Sequence, residues 1–274
     1  MVMHQEVVSK LKRSCLSGEI NPSLVELKYL KHLDLSLNCF GGIGIPNFIG
    51  SFNQLRYLNL SSAGFGGRVP HDLGNLTSLR YLDLNHKMSL TVYVSDDVYC
   101  RVFMTDYNLH VTSLHWLSHL SSLQHLDMAG VNLSMATDWL LSINMLPSVV
   151  YLRLRDCSLV SIPVSLPHVN FTSLSTLDLS FNMLGPKIPT WLFNVSKMMS
   201  LKFSSNYFGD FVPTALGNLC KLQTLELWSN SFTGEINKFK ESLMGCIRNS
   251  LEELDLGSNE LNGHLPDWLG RFLI

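Results

Sequence analysis

The stretch 174–221 reads LSTLDLSFNMLGPKIPTWLFNVSK and then MMSLKFSSNYFGDFVPTALGNLCK, two copies of one 24-residue unit. Self-similarity at a fixed period of about 20 to 50 residues marks a chain built by stacking one small motif into a solenoid. Each copy opens with apolar residues spaced L-x-x-L-x-L (Leu174, Leu177, Leu179), passes an Asn (Asn182) and reaches an apolar-Pro step (Ile188-Pro189). Leu177 and Leu179 alternate with Asp178 and Ser180, so a short strand puts the leucines on one face and the polar pair on the other. Asn182 ends that strand. A buried amide there donates to and accepts from the turn backbone, so stacked units carry a ladder of such bonds. Pro189 fixes φ and disfavours helix at Ile188, which sets the return path. One unit cannot enclose its own leucines; its neighbours supply the missing walls.

The same template covers most of the chain, with its first apolar residue at Leu30, Leu55, Leu79, Leu123, Val149, Leu174, Met198, Leu222 and Leu251. The Asn position holds Asn38, Asn182, Asn206, Asn230 and Asn259, but Ala63, Val131 and Cys157 elsewhere. Before Leu30, LSGEINPSLVELKYL is the back half of a further unit. Residues 16–274 therefore form an array of about nine repeats plus a half, and 1–15 form an irregular N-terminal segment without a recognisable cap. One step is anomalous: Leu79 to Leu123 spans 44 residues, leaving an irregular insertion near 85–113 without a leucine ladder. Such a segment is either a functional island or misjoined coding sequence around Tyr93 to Asn108.

A hydrophobic fraction of 46% with 15% charged residues suits an inner leucine ladder, and a formal net charge of −2 makes no electrostatic case for nucleic acid or anionic membranes. No apolar run reaches the ~18 residues that a spanning helix needs. MVMHQEVVSKLKR, at the N-terminus, lacks the apolar core of a secretion signal. Both ends enter or leave a repeat part-way without a polar cap, so the chain reads as a segment of a longer protein, poorly soluble alone.

The unit L-x-x-L-x-L-x-x-N-x-φ-x-G-x-φ-P (φ apolar), clearest in GFGGRVP (64–70), SFTGEI (231–236) and ELNGHLP (260–266), resembles the plant extracellular class of leucine-rich repeats. More closely, LSGEINPSLVELKYLKHLDLSLN, WLSHLSSLQHLDMAGVNLS and LPHVNFTSLSTLDLS resemble the ectodomains of plant receptor-like proteins of the Cf and xylanase-receptor type. The resemblance implies an α/β-class leucine-rich-repeat solenoid, with parallel strands on a concave face and helical, 3-10 and loop segments on the convex side. It also implies a non-enzymatic, defence-related ectodomain at the outer face of the plasma membrane. Such a protein takes a peptide, protein or glycan ligand and signals through an adaptor kinase and a co-receptor kinase. Two alternatives stand beside it: a secreted inhibitor similar to polygalacturonase-inhibiting proteins, and a truncated relic.

Ligand contact in a solenoid concentrates on the strand face. The column before the second leucine runs His32, Tyr57, Tyr81, His125, Tyr151, an aromatic stripe that the long repeat is expected to interrupt. Rings supply contact area with few rotors; the alternative is that they merely stabilise neighbouring strands. Arg153, Arg155, Lys202, Glu226 and Trp228 are the other contact candidates, and Trp228 serves either as an anchor or as lateral packing. In the class, the Gly position (Gly18, Gly42, Gly67, Gly234, Gly263) tolerates positive φ, whereas Pro186 and Asp210 replace it in the central repeats.

Five N-x-S/T sequons occur, at Asn59, Asn75, Asn132, Asn170 and Asn194. Glycan is expected at Asn75, Asn170 and Asn194, pointing away from the concave face, and least at Asn59. The six cysteines show no C-x-x-C spacing. Cys220 and Cys246 fall at similar places in consecutive repeats and suit either a stacking disulfide or buried thiols, while Cys39 and Cys157 read as packed thiols. His115 and His119 have the spacing of a helical metal pair but lie in a repeat back half without a third ligand. The recurring Asp34, Asp83, Asp127, Asp178 and Asp255 are an echo of the repeat. No nucleophile, phosphate-loop or dinucleotide motif accompanies them, so the reading contains no catalytic residue, metal or cofactor.

Overall fold

The computed structural model describes residues 15–86, 89–95, 98–103, 108–264, 266 and 267, with backbone only for 89–95, 98–103 and 210. The N-terminal segment up to residue 14 and the closing RFLI lie outside these. Nine short parallel strands form one sheet: β1 (His32–Asp34), β2 (Tyr57–Asn59), β3 (Tyr81–Asp83), β6 (His125–Asp127), β7 (Tyr151–Arg153), β8 (Thr176–Asp178), β9 (Ser200–Lys202), β11 (Thr224–Glu226) and β13 (Glu253–Asp255). Their central leucines, from Leu33 to Leu225, are buried, and the register pairs equivalent residues at every step. On the flank, β10 (Gly209–Asp210), β12 (Ser231–Glu235) and β14 (Glu260–Asn262) make a three-stranded parallel sheet.

The back of the solenoid is built from five-residue 3-10 turns at 22–26, 47–51, 71–75, 115–119, 190–194 and 214–218, with short helices α1 (Trp139–Ile143) and α2 (Phe239–Leu243) in two later repeats. Pro46, Pro70, Pro189 and Pro213 each precede such a turn in extended conformation, which forces the chain to bend there. Each of those four turns buries its third residue: Ile49, Leu73, Leu192 and Leu216. At Gly50 a Cβ would lie 2.2 Å from the carbonyl oxygen of Asp72, so close stacking of adjacent turns requires glycine. The five Gly positions named above all have positive φ, between 82 and 100° for four of them and 70° at Gly67.

The Asn ladder forms as expected. Nδ2 of Asn206 donates to the carbonyls of Leu179 and Phe203, both at 3.0 Å, while its Oδ1 accepts from the Leu184 N–H at 3.0 Å. Asn182, Asn230 and Asn259 repeat the pattern on their own preceding repeats. Where Asn is missing, Ala63, Val131 and Cys157 are buried at its place, and the Cys157 thiol donates to the Met128 carbonyl at 3.2 Å.

Two expectations are corrected. The long repeat does not interrupt the stripe, because β3 pairs directly with β6 (Tyr81↔His125, Leu82↔Leu126, Asp83↔Asp127). The leucine frame decides strand pairing. The extra residues leave after β3 as an antiparallel hairpin, β4 (Ser89–Ser95) and β5 (Val98–Phe103), and the chain rejoins through bridges linking Arg68, His110 and Asn132. Cys39 is not a packed thiol: it is bonded to Cys15, one repeat length earlier, with Cα atoms 5.6 Å apart. The stacking Cys220–Cys246 disulfide is present, and Cys157 is a buried free thiol.

Candidate functional site: the concave face

In-register pairing lifts the five ring-bearing residues of β1, β2, β3, β6 and β7 into one continuous stack. Successive centroids from His32 through Tyr57, Tyr81 and His125 to Tyr151 lie 4.0, 4.3, 4.1 and 4.3 Å apart, with interplanar angles of 13° or less. A strand spacing of ~4.8 Å is slightly wider than ring thickness, so the rings tilt into face contact. Stacking covers their faces and leaves hydroxyl and imidazole edges. The Tyr57 hydroxyl reaches Asp34 at 3.4 Å and accepts from Asn59 at 3.3 Å, and the Tyr81 hydroxyl donates to Asp83 at 3.4 Å. All three contacts are at the outer limit of hydrogen bonding and are readily exchanged.

Beside the stack runs a column of acids that has a structural task. Oδ1 of Asp34, Asp83, Asp127, Asp178 and Asp255 each accepts from the backbone N–H two residues on, closing the strand end. Sequence reading recognised the recurrence but not this bond. Arg153 stands between two of them, with Nη1 3.3 Å from Asp127 Oδ2 and Nε 3.3 Å from Asp178 Oδ2. Lys202 pairs with Glu226 on the adjacent strand. Burial, followed by the charge of Asp83, pushes Asp127 up to about 6 in spite of Arg153. Burial raises Asp83 too, and holds His125 down at about 4, so its imidazole is neutral near pH 7. Asp83, His125 and Asp127 could each offer one ligand atom within 4.8 Å of the others. The Arg153 guanidinium already pairs with Asp127, so one of the three ligand atoms is engaged by the protein's own cation.

Two sequence candidates meet further along the sheet. Arg155 lies with Cζ 4.0 Å above the ring centroid of Phe181, and Phe181 is 6.3 Å from Trp228 at a tilt of 40°. Phe181 and Trp228 are 39% and 38% exposed. Sequence reading missed Phe181. Its signal was available: the residue before the Asn position takes positive φ in repeat after repeat and is Ser62, Gly130, Asp156, Ser205, Ser229 or Ser258, but Phe at 181 and Leu at 37. Of the sequons, Asn75, Asn170 and Asn194 are exposed, whereas Asn59 and Asn132 are half-buried. Oδ1 of Asn59 accepts from Ser61, and its Nδ2 donates to Asp34. His115 and His119 sit exposed on their 3-10 turn, ring centroids 6.5 Å apart.

The fold and the strand face define a leucine-rich-repeat solenoid. Leucine Rich Repeat family models match residues 54–76, 173–195, 250–272 and 26–45. Curated sequences similar to it include plant receptor-like proteins. Receptor-like protein EIX1 of Solanum lycopersicum is 35% identical over 185 residues, which is 66% of this chain and 16% of EIX1. Receptor-like protein 39 of Arabidopsis thaliana is 31% identical over 194 residues, 70% of this chain and 20% of that relative. The chain thus spans a fifth or less of these relatives' length. Among solved structures, the plant peptide hormone receptor RGFR1 in complex with RGF2 aligns with a TM-score of 0.68 at 25% identity, covering 94% of this chain and 37% of that one. PEPR1–AtPEP1 aligns with a TM-score of 0.68 at 28% identity, covering 93% and 35%. Among the described residues no helix is long and apolar enough to cross a membrane.

Proposed function

We propose that the concave face of this chain binds an extended segment of a peptide or protein ligand, as part of the ectodomain of a plant cell-surface receptor-like protein. The observation that carries this is the unbroken five-ring stack, with His32 exposed and the other four rings half-buried on the strand face. Four ring steps of 4.0–4.3 Å match the length of about five residues of extended chain at ~3.3 Å each. Covered ring faces disfavour sugar stacking, whereas hydroxyl and imidazole edges suit peptide amides. The peptide-bound receptors among the similar structures and the receptor-like relatives support a ligand-binding role. Defence signalling through adaptor and co-receptor kinases, at the outer face of the plasma membrane, is the biological setting that accords with those relatives. N-linked glycan at exposed Asn75, Asn170 and Asn194 belongs to the same proposal.

The test uses a random twelve-residue peptide library selected on the chain produced through a plant secretory pathway behind an added signal peptide. Enriched peptides are then measured against the triple variant Y57F/Y81F/Y151F. That variant keeps every ring and deletes three hydroxyls, so folding is preserved while edge recognition is lost. A drop of roughly ten-fold or more is expected. Equal binding by both proteins would overturn the assignment of the ligand to this stripe.

A further inference from the structure

Phe181 is costly where it stands. Its φ of 60° is the left-handed conformation, which bulky residues rarely occupy, and its ring is partly in water. The next two repeats place Ser205 and Ser229 at the equivalent position with φ of 54 and 55°. A serine would therefore satisfy the turn. Strain retained at a surface aromatic points toward recognition rather than folding.

The surroundings indicate what is recognised. Trp228 leans toward Phe181 across the intervening repeat, which contributes Ser204 and Ser205, and its far edge lies against Gly257, where a Cβ would come 3.0 Å from Cδ1. The two rings, each more than a third exposed, thus present one apolar surface patch across the intervening repeat. Arg153, Arg155 and Lys202 lie on or just beyond the strands of these repeats. Arg153 bridges Asp127 and Asp178, and Lys202 pairs with Glu226. Among the described residues Arg155 has no carboxylate partner, and its Cζ lies 4.0 Å from the Phe181 ring centroid. A guanidinium held on a ring through its carbon can still offer N–H groups to a carboxylate through two parallel bonds.

We infer that Arg155, Phe181 and Trp228 form a second contact site that takes a carboxylate-bearing peptide segment, the carboxylate on Arg155 and a neighbouring apolar side chain against the exposed surface of Phe181 and Trp228. This assignment rests on the peptide-binding reading of the concave face. It adds to that reading the chemistry of one ligand position and a site beyond the last ring of the stack.

The same peptide selection tests it, with F181S, R155Q and R155K as the variants and a neutral oligosaccharide array alongside. Enriched peptides are expected to carry Asp, Glu or a free C-terminus beside an apolar residue. F181S and R155Q should each weaken them about ten-fold or more. R155K, which keeps charge but loses the planar edge, should also weaken them, and it alters only a half-buried surface group. F181S should melt at or above the wild-type temperature, because serine suits the turn. Peptides that depend on the tyrosine hydroxyls but bind F181S and R155K as well as wild type would overturn this site alone. A selection that enriches nothing would overturn the peptide reading with it. A lowered melting temperature of F181S, or binding only to neutral oligosaccharides, would also refute the inference.

Discussion

Asn206→Ala isolates what holds the repeats in register. In the wild type its side chain, 6% exposed, makes two 3.0 Å bonds to carbonyls, one in its own repeat and one in the preceding repeat, and accepts one from Leu184. The carbonyls are shared. Leu179 O also accepts from Asn182, and Phe203 O from Asn230, so neither is orphaned by the substitution. The Leu184 N–H loses its side-chain partner in a fully buried setting. Leaving a buried donor unpaired costs about 1–3 kcal/mol, and the two lost bonds with partly compensated acceptors add roughly 0.5–1.5 kcal/mol between them. A destabilisation of about 2–4 kcal/mol follows. Urea unfolding followed by circular dichroism measures it, and hydrogen exchange should localise the loosening to the repeats between Leu174 and Asn230, since solenoid contacts are with neighbours. A loss under ~0.5 kcal/mol, or exchange that quickens uniformly along the chain, would refute the ladder as the register device.

Three further outcomes follow from the same geometry. Gly50→Ala should cost about 2–3 kcal/mol, because its Cβ would meet the backbone oxygen of Asp72 at 2.2 Å, while Gly41→Ala, with φ of 67° and open space around it, should cost roughly 1 kcal/mol; the reverse order in urea unfolding would be inconsistent with tight turn stacking. His125→Tyr keeps the ring stack but removes a group held at about 4 against its ordinary 6.5. The unfolded chain binds more protons than the native one at this residue across that window, so wild type loses stability there as pH falls, whereas Asp127, raised to about 6, contributes the opposite slope between pH 6 and 4. The variant should therefore gain stability relative to wild type on acidification from pH 6.5 to 4, and parallel profiles would count against a neutral, buried imidazole. In the folded chain the free Cys157 thiol should resist alkylation, since it is fully buried and its thiolate is disfavoured by burial; rapid labelling of Cys157 before unfolding would contradict its place in the core.

Much of this architecture was legible because one period carries several kinds of information. The leucines of L-x-x-L-x-L fix the strand, the Asn fixes the turn, and their common spacing fixes the register. Residues at the same offset, such as Tyr57 and Tyr81, therefore had to become neighbours. Other features depend on energies between repeats that no offset reveals. The sequence could not show that the leucine frame would pair β3 with β6 and expel the insertion, because loop length sets no limit on pairing. Asp127 reads as an exposed column member, yet Arg153 from the next strand covers it. Cys39 reads as a ladder neighbour, although a partner 24 residues upstream lay outside the clear template. Phe181 was legible as the aromatic exception in a column of mostly small or polar residues, but its left-handed backbone and its contact with Arg155 were not.

The central claim is that ligand lies along the aromatic edge of the concave sheet. A photo-crosslinking amino acid placed in turn at Arg56, at Arg80 and at His119 tests it, the first two immediately preceding Tyr57 and Tyr81 at the starts of β2 and β3 and the third on the back turn of another repeat. With a biotinylated peptide from the selection, adducts are predicted at 56 and 80 and none at 119. Capture at 119, with positions 56 and 80 silent, would contradict the account.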